Sequence, residues 1–187
     1  MRLCLFFNLY RVMENINHAY LDEKGNPLVL EEMAQHKHSK VNMRVGVPKE
    51  SIEGEQRVSL TPDTIEILVK AGIEVIVQDG AGEAAGYCND DYLKSGARIC
   101  DSIIDVFNSD VVVKVGFPER LEVELMRDHG LLLSSVYCDT PQAVMAMKGM
   151  VEKKITAIAF ERITDDSGHA PIQKTLEQIA GKLAVLV

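Results

Sequence analysis

The sequence predicts an α/β fold, a doubly wound and mostly parallel sheet, with a helical extension at the N-terminus. From Met43 onward, short apolar runs alternate with amphipathic segments, the order expected of repeated strand–helix units. Several of these runs are apolar at nearly every position, as strands buried on both faces of a parallel sheet are. We therefore place one domain at residues 43–187 and a separate helical extension at residues 1–42.

The first predicted strand, MRVGVP at residues 43–48, ends in a proline, and the next helix begins with Thr61 as its N-cap and Pro62 at its first position. That helix ends at Gly72. The other predicted strands are IEVIVQ (73–78), ARIC (97–100), DVVVKVG (110–116), GLLLSSVY (130–137) and ITAIAF (155–160). The other predicted helices are DDYLKSGA (90–97), SIIDVFN (102–108), RLEVELM (120–126), PQAVMAMKGMVEKK (141–154) and TLEQIAGKLAVLV (175–187). Their alternation indicates a Rossmann-like sheet.

Charge and composition exclude several classes of function. The 187 residues carry a formal net charge of −8, which argues against a nucleic-acid partner. No apolar run approaches the roughly 18 residues of a membrane-spanning helix, and the first residues lack the small-residue cleavage site of a signal peptide. Cysteines at positions 4, 88, 100 and 138 show no CxxC spacing, which is typical of free thiols in a reducing compartment. We therefore expect a cytoplasmic protein.

Arg57 is the first candidate for a binding residue. It lies on a charged loop after the first strand, and open α/β sheets bind ligands at the carboxyl ends of their strands. Its planar guanidinium can hold a carboxylate through two parallel hydrogen bonds. The alternative is a solvated charge paired with Glu53 or Glu55. The position directly after the first strand favours the binding role.

Lys114 is the second candidate, because it interrupts the apolar run VVVKVG. A lysine is seldom buried without a reason. Its side chain either extends along the strand end to reach water or points into a ligand cleft as a hydrogen-bond donor. The residues leave both alternatives open.

The segment GAGEAAG, residues 80–86, follows a strand and invites comparison with a dinucleotide-binding loop. Its GxGxxxG spacing differs from the GxGxxG of that loop, and we expect the next helix to begin only after a cap at Asn89 or Asp90. A tight turn is the favoured interpretation, so no cofactor-binding residue is assigned. His129 and His169 show no partner at metal-ligand spacing, so no metal site is expected. No catalytic Ser/His/Asp arrangement is evident, and the catalytic residues stay unassigned.

MRVGVPKESIEGEQRVSLTP, at residues 43–62, resembles the opening of the alanine dehydrogenase/pyridine nucleotide transhydrogenase family. The resemblance continues in order through AGIEVIVQDGAGEAAGYCNDDYLKSGA, DVVVKVGFP and KKITAIAFERITDDSGHAPIQKTLEQIAGKLA, and covers residues 43–187. It implies the N-terminal, substrate-side domain of that family, whose NAD-binding domain follows the helix carrying IAG. We therefore expect a chain truncated after that linking helix, with NAD bound in the complete protein through a domain not present here.

The resemblance also assigns individual residues. Arg57 matches the arginine that holds the substrate carboxylate, and Lys114 matches the first lysine of the family's KVK motif. Gly116 stands where the second, catalytic lysine of that motif is found. The histidine that serves as acid/base in alanine dehydrogenases falls at Tyr137 or Cys138. The resemblance therefore leaves no evident group to move a proton at the substrate.

Three functions are compatible with this pattern. The first is the substrate-side domain of an alanine dehydrogenase-like oxidoreductase, which converts L-alanine to pyruvate and ammonia with hydride transfer to NAD and is inactive alone. The second is part of the α-subunit of an NAD(P) transhydrogenase, which needs no acid/base pair. The third is a non-catalytic ligand-binding or assembly module. The expected partners are a small amino or keto acid, a downstream or separate NAD-binding domain, and further copies of the chain in a homo-oligomer.

Overall fold

A six-stranded parallel sheet forms the centre of the fold in the computed structural model, which describes residues 43–136 and 139–184. The strands are β1 (Arg44–Val47), β2 (Glu74–Gln78), β3 (Arg98–Cys100), β4 (Val111–Val113), β5 (Leu131–Ser134) and β6 (Thr156–Ala159). The helices are α1 (Pro62–Lys70), α2 (Asn89–Lys94), α3 (Ile103–Phe107), α4 (Arg120–Leu125), α5 (Pro141–Glu152) and α6 (Pro171–Ala184). The predicted α/β class is confirmed, and the described sheet is parallel throughout. The predicted extension at residues 1–42 lies outside the described residues.

The strands lie in the order β3-β2-β1-β4-β5-β6. The chain therefore winds outward from β1 to β3 on one side, returns to β4 beside β1, and winds outward again to β6. Val45 of β1 is in register with Val75 of β2 and with Val111 of β4. The loops that follow β1 and β4 consequently leave the sheet side by side. The crevice between these carboxyl ends, where the winding direction reverses, is the place at which such sheets bind ligands.

Local sequence explains where α1 begins and ends. Thr61 has extended backbone (φ −81°, ψ 158°) and Pro62 takes the first helical position, as predicted. The Thr61 hydroxyl lies 3.0 Å from the hydroxyl of Thr64 instead of capping a backbone N–H. After Lys70 the chain turns through Gly72, whose φ of +86° a residue with a side chain rarely adopts. This turn delivers the chain directly into β2.

An apolar core cluster packs β4 and β5 against the neighbouring helices. Its buried members are Phe107, Val112, Phe117, Val123, Met126, Leu132, Ala143, Ala146 and Met150. Phe117 belongs to the loop that follows β4, so this cluster fixes the loop that forms one side of the crevice. No helix in the described part of the chain is long and apolar enough to cross a membrane.

Among the boundaries that differ from the prediction are the end of β4 and the start of α6. β4 ends at Val113, so Lys114 lies in the loop beyond the strand and not inside it. α6 begins at Pro171, before the predicted start at Thr175, because proline is well suited to the first turn of a helix. The first difference matters for function, because it places Lys114 at the crevice.

Candidate active site at the carboxyl ends of β1 and β4

The loop after β1, residues 48–61, is tied to the strands on both sides of β1. At its start, the Lys49 backbone N–H donates to Oε1 of Gln78, at the end of β2, over 2.9 Å. Near its end, the Ser59 hydroxyl donates to the carbonyl oxygen of Val113, the last residue of β4, over 2.7 Å. Arg57 is two residues before Ser59. These bonds therefore hold Arg57 close to the carboxyl end of β4, beside the crevice.

Arg57 forms an ion pair with Glu55. Its Nε donates to Oε1 over 2.8 Å and its Nη2 donates to Oε2 over 2.6 Å. The Arg57 side chain is 56% exposed, whereas that of Glu55 is 12% exposed. Hydrogen bonding between the two groups lowers the pKa of Glu55 and raises the pKa of Arg57. The guanidinium is therefore charged, oriented and accessible from water.

Lys114 is buried. Its Nζ donates to both carboxylate oxygens of Glu122, over 2.8 and 2.9 Å, and to the Ser51 hydroxyl over 3.2 Å. Its side chain is 0% exposed, so the alternative in which it reaches water along the strand end is wrong. Burial of this ammonium is offset by the carboxylate that faces it, as buried charges require.

Glu50 completes a buried charge cluster with Lys114 and Glu122. Its Oε1 accepts the backbone N–H of Val115 over 2.6 Å, and its Oε2 accepts that of Gly116 over 3.1 Å. The same carboxylate lies 3.9 Å from Lys114 Nζ, and its side chain is 5% exposed. Burial raises the pKa of Glu50, although the two N–H groups and Lys114 act in the opposite direction. Glu50 therefore closes the turn after β4 at the cost of a buried negative charge.

Sequence reasoning missed Glu50 and Glu122. In α4 the pattern misleads, because Leu121 is 69% exposed while Glu122 is 7% exposed. The usable signal was Lys114 itself. A lysine inside an apolar run needs a carboxylate partner, which could have directed attention to the glutamates of the next helix.

Gly116 provides little space for a side chain in the present arrangement. A Cβ built there would lie 2.4 Å from Cδ1 of Ile52 and 3.3 Å from Oε2 of Glu50. Ile52 is 39% exposed, and its Cδ1 atom is the far end of a flexible side chain, so this atom can move aside. Position 116, the catalytic-lysine position in the resemblance, is therefore filled by Ile52 and faces the Glu50 carboxylate. Tyr137 and Cys138, the two candidates for the histidine position, lie outside the described residues.

The glycine-rich segment, residues 80–86, forms a turn in which backbone conformation and side-chain packing explain the glycines. Gly80 and Gly86 have φ of +67° and +83°. A Cβ on Gly82 would lie 2.5 Å from the ring of Tyr92, which is 0% exposed. Burial raises the pKa of Tyr92, and its hydroxyl donates to the backbone carbonyl of Leu60 over 3.2 Å. Gly82 is thus required by the packing of this tyrosine.

This turn does not fit a dinucleotide. α2 opens only after Cys88, which is its N-cap; the predicted cap at Asn89 or Asp90 is wrong, because the Asp91 carboxylate accepts the backbone N–H of Cys88 over 3.0 Å. The Glu83 carboxylate also lies 3.1 Å from the position of a Cβ on Gly80, where it would repel a pyrophosphate. The turn therefore offers no cradle for the pyrophosphate of NAD.

The described cysteines and histidines supply no metal site. Cys88 and Cys100 are free thiols, as predicted. His169 has a carboxylate neighbour that the sequence did not reveal, since its Nδ1 lies 3.4 Å from Oδ2 of Asp165, but both side chains are exposed. Within residues 43–136 and 139–184, no group of His, Cys, Asp and Glu could hold a metal ion.

Comparison with known proteins decides the family. Residues 46–180 match the family described as "Alanine dehydrogenase/PNT, N-terminal domain". The chain belongs to this family. Relatives include the alanine dehydrogenase of Bilophila wadsworthia, 34% identical over 145 residues, and that of Geobacillus stearothermophilus, 34% identical over 146 residues. These alignments cover 78% of this chain but 38% and 39% of the relatives. The chain thus spans a little over a third of their length, and the resemblance inferred from the motifs is confirmed.

Solved structures of the alanine dehydrogenase/transhydrogenase family agree with the fold. A structure of L-alanine dehydrogenase superposes with a TM-score of 0.72 at 33% identity, covering 77% of this chain and 39% of that chain. The transhydrogenase from Sinorhizobium meliloti superposes with a TM-score of 0.58 at 29% identity, covering 65% of this chain and 36% of that chain. The domain is therefore alanine dehydrogenase-like, with a transhydrogenase among its structural neighbours.

Proposed function

We propose that this domain is the substrate-side part of an NAD-dependent oxidoreductase that interconverts L-alanine with pyruvate and ammonia. The observation that carries the proposal is the exposed, oriented guanidinium of Arg57 at the switch point of the sheet. Alanine and pyruvate share a carboxylate, and a planar guanidinium binds that group through two charge-assisted hydrogen bonds. The alanine dehydrogenases among the relatives support this choice of substrate.

NAD belongs, in this proposal, to a second domain. One support is the glycine turn, which does not fit a pyrophosphate. The other is that the chain aligns with only 38% and 39% of the length of the two alanine dehydrogenases. When bound, NAD would accept the hydride of the substrate, and this domain would hold the substrate carboxylate. We expect the 187-residue chain to bind a small amino or keto acid and not to reduce NAD by itself. A cytoplasmic location and a homo-oligomeric state remain predictions.

Lys114 as a substrate contact also remains a prediction. Its Nζ already donates to Glu122 and Ser51, so a ligand could reach it only after some of these bonds are released. The geometry supports an indirect role more strongly. Lys114 neutralises part of the charge of Glu50, which in turn binds the backbone beside position 116.

A transhydrogenase is the second candidate, and Gly116 is the observation that favours it. Hydride transfer between two nucleotides needs no acid/base residue at the position where the resemblance places the catalytic lysine. The structural likeness to the Sinorhizobium meliloti transhydrogenase supports the same alternative. A non-catalytic binding module would keep Arg57 and show neither reaction.

Calorimetric titration of pyruvate and L-alanine into the purified chain tests the carboxylate anchor. We expect Arg57→Gln to weaken pyruvate binding by about ten- to hundredfold, because hydrogen bonds to a charged group contribute about 1.5–3 kcal/mol. Arg98→Gln is the matched control, since Arg98 is exposed on β3 at the far side of β2. Pyruvate affinity that survives Arg57→Gln would overturn the assignment.

Adding an NAD-binding domain from a relative separates the two enzyme candidates. NAD reduction that requires L-alanine supports the dehydrogenase. Hydride exchange between nucleotides without any amino acid supports the transhydrogenase. Pyruvate binding with neither reaction supports the non-catalytic module.

A further inference from the structure

The Arg57 guanidinium offers two edges to a carboxylate. One edge carries Nε and one terminal nitrogen, and the other carries the two terminal nitrogens, Nη1 and Nη2. Glu55 occupies the first edge, with Oε1 on Nε at 2.8 Å and Oε2 on Nη2 at 2.6 Å. Among the described residues, none accepts a hydrogen bond from Nη1. In the described part of the chain, the second edge is therefore unoccupied, on a side chain that is 56% exposed and that a planar anion can approach.

We propose that Glu55 is a positioning residue for the carboxylate site. It holds the Nε edge of Arg57 and so presents the Nη1–Nη2 edge to the ligand carboxylate. This inference rests on the proposed role of Arg57 and adds how that arginine is made ready to bind. The class of ligand is a small carboxylate such as pyruvate or alanine.

The surroundings of Glu55 support a role in which Glu55 holds Arg57 in place and Arg57 binds the ligand. Its Oε1 also accepts the backbone N–H of Arg57 over 2.9 Å, and its own backbone N–H donates to the carbonyl oxygen of Ile52 over 3.1 Å. The Glu55 side chain is 12% exposed, against 56% for Arg57. The carboxylate is thus the fixed, sheltered partner, and the guanidinium is the partner that faces water.

The competing arrangement is displacement, in which the ligand carboxylate replaces Glu55 on Arg57. Displacement would strip a sheltered carboxylate of two side-chain hydrogen bonds and gain two of the same kind, while leaving that carboxylate poorly solvated. Binding at the open edge keeps the existing bonds and adds new ones. The geometry therefore favours simultaneous binding of Glu55 and the ligand to opposite edges of one arginine.

Glu55→Gln provides the test, with Glu53→Gln as the matched control on the same loop, where Glu53 is exposed. Without Glu55 the long side chain of Arg57 must be ordered during binding, so we expect pyruvate to bind roughly two- to tenfold more weakly to the full chain. Calorimetry in about 1 M salt, where the Debye length is about 3 Å, screens the opposite effect of removing a negative charge near an anion. Glu53→Gln should bind pyruvate like the wild type.

Nitrogen-15 NMR of the arginine side chains distinguishes a positioning role from a purely structural one, because it reports on each edge of the Arg57 guanidinium separately. In the wild-type chain, saturation with pyruvate should shift the Arg57 Nη resonances and leave the Nε–H resonance in place. In Glu55→Gln the Nε–H resonance should already be shifted in the free protein. Pyruvate that moves the wild-type Nε–H resonance, or binds Glu55→Gln as tightly as wild type, would overturn the positioning role.

Arg57→Gln keeps this failure distinct from failure of the proposed function. If Arg57→Gln binds pyruvate like the wild type, the carboxylate anchor is wrong and the positioning role falls with it. If Arg57→Gln weakens pyruvate binding as expected while Glu55→Gln leaves the affinity unchanged, the anchor stands and only the positioning role is refuted.

Discussion

Replacement of Lys114 by methionine tests what holds the buried charge cluster together. The Lys114 and Glu122 side chains are 0% and 9% exposed, and Nζ reaches both carboxylate oxygens at 2.8 and 2.9 Å. Lys114→Met keeps the apolar stem and leaves Glu122 with one backbone donor, the N–H of Glu119 at 2.8 Å. Removing one partner of a buried ion pair costs about 3–5 kcal/mol. We therefore expect the free energy of unfolding to fall by that amount.

Urea unfolding followed by circular dichroism measures this loss. With an m-value of about 2 kcal/mol per M, the midpoint should move by about 1.5–2.5 M. Lys70→Met is the matched control, because Lys70 lies 2.7 Å from Glu66 but the two side chains are 71% and 54% exposed. It should cost about 0.5 kcal/mol or less. Equal losses for Lys114→Met and Lys70→Met would refute the reasoning, whereas a Lys114→Met/Glu122→Leu double variant should regain much of the loss.

Two further predictions concern stability. The raised pKa of Glu50 means that its stabilising contribution is complete below its ordinary pKa of 4.5 and is lost as the pH rises through the raised value. The melting temperature of the wild type minus that of Glu50→Gln should therefore fall as the pH rises above 4.5, and a rise would contradict the assignment. Gly82→Ala, with its Cβ 2.5 Å from the buried ring of Tyr92, should cost about 1–3 kcal/mol in urea unfolding. Gly181→Ala, in α6 with no neighbour within 4 Å among the described residues, should instead stabilise the chain by about 0.5–1 kcal/mol. Equal effects of the two substitutions would show that the packing of Tyr92 does not require Gly82.

Much of the fold could be predicted from sequence, because strand–helix alternation is a local property. The apolar run that became β2, and Thr61 followed by Pro62 at the start of α1, each point to one element without help from the rest of the chain. The ends of strands and helices were harder to predict where a contact with a residue distant in sequence determines them. DVVVKVG predicts a strand through Gly116, but the strand ends at Val113 and the next residue, Lys114, turns to a carboxylate on α4.

For the candidate site, the sequence indicated which positions to consider but not which side chains and backbone groups contact one another there. The loop position of Arg57 predicted either a binding residue or a charge paired with a neighbouring glutamate. The structure shows the pair with Glu55 and leaves the guanidinium exposed, and the binding role stays a prediction. Glu50 could not be inferred, since its partners are backbone N–H groups of the turn after β4, which is distant in sequence. Gly82 is a second example of a contact that the sequence does not reveal. The glycine itself is visible in the sequence, but whether a phosphate or a tyrosine ring occupies the space beside it is not.

The glycine at position 116 has an electrostatic consequence as well as a chemical one. The buried charge cluster contains two carboxylates, Glu50 and Glu122, and one ammonium, that of Lys114. Lys114 lies 2.8 Å from Glu122 and 3.9 Å from Glu50, so Glu122 receives most of its compensation. The Cβ of a lysine at position 116, where the family resemblance places one, would lie 3.3 Å from Glu50 Oε2, and that residue would bring a second positive charge to this part of the site. With Gly116, Glu50 is compensated by two backbone N–H groups and by Lys114 at 3.9 Å, and burial raises its pKa. Glycine at position 116, where the resemblance predicts a lysine, thus leaves the Glu50 carboxylate only partly compensated.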